Sequence, residues 1–199
     1  DSRGLSRVLL MTLRNDMALL HRLPRIVHCL LTVLLLSAQA SVMAEETRIS
    51  EYRLKTAFLY NFSRFVSWPE ETLYDRPEFT LCITGSDPFG TQLDELAGKS
   101  VHGNLLVIRR LGNLNGIADC QLVYIGENTE ISETLLLLGD QPVLTVSDAD
   151  GFIEQGGIIQ FILVQNKVRF RINVDAANAA GLNISSKLLS LAVSVTGNN

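Results

Sequence analysis

Apolar positions follow a helical spacing in the segment after Ser50, where the predicted folded domain begins. They recur at three- and four-residue steps after Ser50, which predicts a helix from Glu51 to about Val66 with Ser50 as its N-terminal cap. Trp68-Pro69 ends this helix, because proline disfavours helical backbone in the residue before it. The apolar face predicted for the helix consists of Leu54, Ala57, Phe58, Asn61, Phe62 and Phe65.

Short apolar runs then alternate with helical segments. The predicted strands are Phe79–Thr84, Asn104–Arg110, Gln121–Ile125 and Pro142–Val146. Between them, Thr91–Ala97 and Ile131–Leu138 have helical spacing, and Asp87 and Pro88 suit the cap and first position of the former. Strands that alternate with helices indicate a largely parallel sheet with helices on its faces.

The pattern changes near the C-terminus. Gly157–Val164 and Lys167–Asn173 are strand-like and flank Gln165-Asn166, which predicts an antiparallel hairpin. A last helix begins near Asp175, breaks at Gly181–Asn183 and resumes to Ala192. The predicted fold is therefore a single α/β domain, with a central mostly parallel sheet flanked by helices and closed by an antiparallel hairpin and a C-terminal helix.

The second hairpin strand carries a basic stripe. Val168, Phe170 and Ile172 share one face of this strand because side chains alternate along it. The opposite face carries Lys167, Arg169, Arg171 and Asn173. Such a stripe is either a contact surface for an acidic partner or the charge that keeps an edge strand from pairing with other chains.

Residues 1–44 have the parts of a secretory signal peptide. Five arginines precede an apolar run of about a dozen residues from Ile26 to Ser37, and the small residues Ala38-Gln-Ala40 and Val42-Met-Ala44 follow. The run is shorter than the ~20 residues of a membrane span, although a retained anchor is the alternative. Residues 45–199 are then an exported domain, which places the protein in the periplasm if the cell is Gram-negative.

Composition excludes several function classes. The chain is 47% hydrophobic with a net charge of −4, which argues against an electrostatic nucleic-acid binder. Residues 45–199 contain a single histidine, His102, which rules out a multi-histidine metal site. We therefore expect no metal and no cofactor. His102 lies between glycines in a predicted loop, where a solvent-facing role is expected, and an enzyme using His102 with Asp87 or Ser100 is the weakest alternative.

Residues 45–199 also contain two cysteines, Cys82 and Cys120. Exported chains meet an oxidising environment, so a disulfide is the default expectation. Cys82 lies in a predicted strand and Cys120 just before another, and neighbouring strands could bring them within bridging distance. The alternative is two separate buried thiols.

Several segments, read together, resemble the YfiR family of bacterial periplasmic proteins. Leu54–Pro69 resembles the opening of that family. The later blocks that resemble it are Pro142–Ser147, Gly156–Phe161, Val168–Asn173 and Ala177–Leu191. The resemblance covers about residues 50–192, and the specificity lies in the order of the blocks.

The resemblance implies a regulator and not an enzyme. YfiR-like proteins bind the periplasmic sensor region of an inner-membrane diguanylate cyclase and repress it, which lowers cyclic di-GMP and biofilm formation. An outer-membrane lipoprotein can sequester the repressor. The family's founding member is a homodimer with a disulfide that corresponds in placement to Cys82–Cys120. It has a second cysteine pair later in its sequence, whereas no cysteine follows Cys120 here.

The basic stripe and this resemblance together predict a partner-binding surface on the hairpin and final helix. Its predicted residues are Phe161, Arg169, Arg171, Asn173 and Ile184. The rival function is a periplasmic small-ligand-binding module without a cyclase partner. Its site would use the turn Gly85–Phe89 and the carboxyl edge of the sheet.

Overall fold

The computed structural model describes residues 49–74 and 76–197, so the predicted signal peptide and its anchor alternative lie outside the described residues. The helices are α1 (residues 49–65), α2 (Glu70–Leu73), α3 (Thr91–Asp94), α4 (Ile131–Leu138), α5 (Val174–Ala179) and α6 (Ser186–Leu189). The strands are β1 (Val66–Ser67), β2 (Glu78–Thr84), β3 (Ser100–Val101), β4 (Asn104–Leu111), β5 (Leu122–Ile125), β6 (Leu144–Ser147), β7 (Ile159–Val164), β8 (Lys167–Asn173), β9 (Asn183–Ile184) and β10 (Ser194–Thr196). Among these helices none has the length and apolarity needed to cross a membrane.

Eight of the described strands form one sheet in the order β10-β8-β7-β6-β5-β2-β4-β3. Neighbours from β4 through β2, β5 and β6 to β7 are parallel, and β7 and β8 form the antiparallel hairpin. The remaining two, β1 and β9, pair with each other in a separate antiparallel ribbon. This confirms the predicted α/β fold with a mostly parallel sheet.

The backbone conformation of Gln165 and Asn166 forms the turn of the β7–β8 hairpin. Gln165 and Asn166 both have positive φ, at 51° and 58°, as a two-residue turn between twisted strands requires. The register pairs Val164 with Lys167 and Phe161 with Phe170. Val168, Phe170 and Ile172 are buried as predicted, so the basic positions share the other face of β8.

The two faces of the sheet build two separate cores. Alternate residues such as Leu81 and Tyr124 pack with α1, α3, α5 and α6 in the larger core. Their neighbours Cys82 and Val123 point to the opposite face, where α4 contributes Leu138 to a smaller core. The sheet therefore forms the middle layer of a three-layer domain.

The first helix differs from its prediction. Residues 49 and 50 are already helical, so Ser50 is not the N-terminal cap. Leu54 is 44% exposed, and Ala57 is exposed as well. The predicted face was wrong by about one residue, because the face that contacts the sheet carries polar side chains among the apolar ones. The fully buried positions of that face are Lys55, Thr56, Leu59, Phe62, Ser63 and Val66.

Two other local predictions were wrong. The helix predicted to start at Pro88 is the shorter α3, which begins at Thr91, although the Oδ1 atom of Asp87 does accept hydrogen bonds from the N–H groups of Phe89 and Gly90. Strand β8 is not an edge strand along its whole length, because β10 pairs with Arg171–Asn173. Its unpaired portion is confined to the first half.

Candidate functional site

A buried lysine on the sheet-facing side of α1 is the centre of the candidate site. Lys55 is only 3% exposed, a rare position for a side chain that is almost never buried unless it is paired. Its Nζ lies 2.6 Å from Oε1 of Glu51, one helical turn earlier, and 2.7 Å from Oδ2 of Asp148. Asp148 directly follows β6, so this ion pair fastens α1 to the carboxyl end of the parallel sheet.

Aromatic side chains surround the ion pair. The hydroxyl of Tyr52 donates to Oδ2 of Asp148 at 3.3 Å, and the Lys55 ammonium lies 4.4 Å from the centre of the Tyr52 ring. Phe89 bridges Tyr52 and Tyr124 through edge-to-face contacts, with ring centres 5.4 Å and 4.7 Å apart. These rings limit water around the charges and so strengthen their attraction.

The charges tune one another's pKa values. Burial by itself would raise the pKa of Asp148, but the Lys55 ammonium and the hydroxyls of Tyr124 and Tyr52 lower it below its usual range. Burial likewise opposes the charged form of Lys55, yet bonds to Asp148 and Glu51 hold its pKa above the ordinary value. Burial, and then the Asp148 carboxylate, raises the pKa of Tyr124 far above the neutral range. At neutral pH the site therefore holds charged Lys55 and Asp148 beside a protonated Tyr124.

A cavity of about 390 Å³ opens beside this network. This volume falls in the range of small-molecule sites. The cavity lies between α1, the segment after β6, and β7. Its lining residues are Glu51, Lys55, Asp148, Asp150, Phe161, Ile162 and Leu163.

The turn predicted as part of a ligand site is occupied by its own contacts. Besides accepting from the backbone of Phe89 and Gly90, Asp87 forms an ion pair with Arg110, whose Nε lies 2.6 Å from Oδ2. Phe89 points inward and is 3% exposed. The carboxyl edge predicted for the small-ligand module does carry a cavity, and this cavity lies beside Asp148 after β6.

The predicted partner-binding residues divide into exposed and buried positions. Arg169 is exposed on the outward face of β8. Arg171 is half-buried and held by Glu154, whose Oε1 lies 2.9 Å from its Nη2. Phe161 and Ile184 are 1% and 8% exposed, so their side chains belong to the core and offer little surface to a partner.

Asn173, the remaining predicted partner residue, has a local role. Its Oδ1 accepts a hydrogen bond from the Ala176 N–H, which caps the N-terminus of α5. The structure thus brings Arg169, Arg171 and Asn173 onto one strand face, while Phe161 and Ile184 are buried in the larger core.

The two cysteines are bonded to each other. The Cys82 and Cys120 Cα atoms lie 6.0 Å apart, and the disulfide is buried in the smaller core. It joins β2 to the segment that leads into β5, which is the neighbouring strand. The expected Cys82–Cys120 disulfide is confirmed, and the alternative of two separate thiols is wrong.

His102 has the loop position that was predicted. It is exposed in the β3–β4 turn, where its Nε2 lies 3.0 Å from the Val66 carbonyl oxygen and its ring packs on Trp68. Among residues 49–74 and 76–197, no group of three or more His, Cys, Asp or Glu side chains has the geometry to hold a metal ion.

The fold and the buried ion network define a mixed α/β domain whose first helix is fastened to the carboxyl edge of its sheet. A family model described as YfiR/HmsC-like matches residues 52–193. The chain belongs to the YfiR/HmsC-like family, and the resemblance read from the sequence is confirmed. No curated protein sequence is significantly similar to the chain.

Solved structures include distant likenesses. A conserved domain protein from Vibrio cholerae O1 biovar El Tor is 16% identical, with a TM-score of 0.43 over 64% of this chain and 57% of that chain. The ABC domain from Streptococcus pneumonia, in complex with L-Trp, is 13% identical, with a TM-score of 0.40 over 59% of this chain and 55% of that chain. The chain therefore spans less than two thirds of the length of either protein.

Proposed function

We propose that this chain is a periplasmic regulator that binds and represses an inner-membrane diguanylate cyclase, and thereby lowers cyclic di-GMP signalling and biofilm formation. Membership of the YfiR/HmsC-like family over residues 52–193 is the observation that carries this proposal. The buried disulfide supports an oxidising compartment, because such bonds persist outside the cytosol. In this role the chain is not an enzyme and has no catalytic residues.

Repression requires that the chain distinguish two states of its partner. It must bind the inactive conformation of the sensor region more tightly than the active one, by about 1–3 kcal/mol. Binding outside the inner membrane can then hold the cyclase domain inactive on the other side. An outer-membrane lipoprotein that competes for the same surface would release the cyclase.

The outward face of β8 is the surface we assign to the cyclase. Lys167 and Arg169 are exposed on it, on a chain whose overall charge is negative. Arg171 contributes from a position fixed by Glu154 and by the Ser194 hydroxyl, 3.3 Å from its Nε. A local basic face favours an acidic partner surface and speeds the encounter with it. Phe161 and Ile184 are buried in the larger core and are not part of this surface.

Genetic deletion tests the function in the cell. Without the chain, intracellular cyclic di-GMP should rise, and deleting the cyclase as well should return it to the low level. A rise that persists in the double deletion, or no rise at all, would contradict repression of that cyclase. A homodimer, the further assembly we propose, is checked separately by sedimentation of the purified chain.

The second candidate function is a periplasmic small-ligand-binding module. The cavity of about 390 Å³ at the carboxyl edge of the sheet favours it, since ligands of α/β domains bind at this edge. A small molecule retained through purification, and absence of any cyclase complex, would place this function first.

A further inference from the structure

The cavity beside Lys55 has an unbalanced set of charges. Its lining includes three carboxylates, those of Glu51, Asp148 and Asp150, but a single ammonium group, that of Lys55. With all four charged the lining carries a net charge of minus two. An anion would meet this excess directly, so the lining selects against anionic ligands.

The lysine is already engaged by the protein. Two of its three N–H donors face Glu51 and Asp148 at 2.6 and 2.7 Å, and the ring of Tyr52 lies 4.4 Å away. Asp148 in turn accepts from Tyr52. Lys55 therefore forms the buried floor of the cavity, and its single positive charge is shared between Glu51 and Asp148.

Asp150 and the second oxygen of Glu51 are the acceptors that Lys55 does not contact. Asp150 is exposed, and within residues 49–74 and 76–197 no basic side chain forms an ion pair with it. Glu51 contacts Lys55 through Oε1, and a carboxylate has a second oxygen that can accept further hydrogen bonds. Lys55 offsets one of the two carboxylates that it contacts, so the uncompensated negative charge resides with Asp150 and with the Glu51–Asp148 pair.

The opposite wall is apolar. It is formed by β7, where the Leu163 side chain lies on the same strand face as Phe161 and Ile162 points to the other face. Leu163 is 56% exposed although it is a large hydrophobic side chain. An apolar wall facing a carboxylate pair suits a ligand with one cationic end and one hydrophobic end. A hydrated metal ion would leave this wall without a partner.

We propose that the cavity binds a small organic cation, with its ammonium group at Asp150 and Glu51 and its apolar body against Leu163. Binding at this cavity requires no cyclase, so it stands or falls independently of the repressor function. A ligand seated there would contact α1, the segment after β6 and β7 at once, and would stabilise their packing.

An NMR titration with phenethylamine as the probe tests the proposal. Saturable shifts of the Leu163 methyl signals are expected with the amine. The matched neutral 2-phenylethanol and the anion 3-phenylpropanoate should bind at least about tenfold more weakly, because each lacks the charge-assisted bonds. Equal binding of the alcohol, equal shifts with calcium ions alone, or no saturable shift at these methyls would overturn the proposal.

Replacing Asp150 by asparagine tests the assigned carboxylate. Asp150→Asn should weaken phenethylamine binding about tenfold while leaving the fold intact, since Asp150 is exposed. Asp140→Asn is the matched control, because Asp140 is exposed and does not line the cavity. Equal affinities of the two variants would overturn the placement of the ammonium group.

Discussion

At the scale of single residues, Lys55 shows how far a side chain's type can mislead. The predicted apolar face does not include Lys55, and lysine side chains are rarely buried. The spacing was nevertheless present, since Lys55, Leu59, Phe62 and Val66 recur at helical intervals and all are buried. Asp148 gave no comparable signal, because a single acid after a strand has no periodicity. Its pairing with Lys55 joins positions 93 residues apart, which local pattern cannot reveal.

Removing the buried ammonium should destabilise the domain strongly. Lys55→Met leaves Asp148 and Glu51 without their counter-charge, so the free energy of unfolding should fall by about 3 kcal/mol. Urea denaturation measures this change. Lys167→Met, at an exposed position, is the control and should change stability by less than about 0.5 kcal/mol. Equal stabilities of the two variants would mean that the ion pair is dispensable.

The same network predicts a dependence of stability on pH. The folded pKa of Asp148 lies below its ordinary 3.8, so its contribution is complete above about pH 4 and is lost as the pH falls through the folded value. Lys55 has a raised pKa, so its contribution is lost only as the pH rises above its ordinary 10.5. Asp148→Asn should therefore flatten the acid limb of the unfolding free energy. An unchanged acid limb would place the titrating group elsewhere.

At the scale of elements, helices and strands with a strong local pattern could be predicted from the sequence, whereas strands of two or three residues could not. Residues Ile131–Leu138 form a helix with the predicted ends, and β8 follows the predicted Lys167–Asn173. Strands β1, β3, β9 and β10 were missed, because two or three residues carry no periodicity. Their pairing depends on distant partners, as when Val66 pairs with Ile184. For the same reason the sequence could not show that β10 covers the second half of β8.

The disulfide should contribute substantially to stability. It joins cysteines 38 positions apart, and closing a loop of that length in the unfolded chain is worth about 4 kcal/mol in the chain-entropy model. Unfolding in denaturant with and without reductant measures the difference. Identical curves would show that the cross-link adds nothing to the packing of the smaller core.

The hairpin turn allows a stabilising substitution. Gln165 has a φ of 51°, a backbone conformation that asparagine tolerates better than glutamine. Gln165→Asn should raise the free energy of unfolding by about 0.5 kcal/mol. Thermal unfolding reports the change, and a lower melting temperature would contradict the assigned turn.

At the scale of the whole molecule, sequence pattern predicted the layers better than the surfaces. Alternation of strands and helices was sufficient for a mostly parallel sheet, because only helical crossovers join parallel neighbours easily. The alternation could not predict that β10 pairs with β8, because that pairing joins distant parts of the chain. It also could not predict that Phe161 is buried and Arg169 exposed, because burial depends on which strand face meets a helix. The family followed from the order of several blocks along the chain and is confirmed over residues 52–193.

We propose that the basic face of β8 docks on the periplasmic region of a diguanylate cyclase. Equilibrium binding of the purified chain to that region tests it most directly, with Arg169→Glu as the test variant and Arg109→Glu on β4 as the charge-matched control. Both arginines are exposed, and four strands separate β4 from β8 in the sheet. We expect the unaltered chain and Arg109→Glu to bind with similar affinity, and Arg169→Glu to bind at least about tenfold more weakly. Equal binding by the two variants, or no binding by the unaltered chain, would contradict the account.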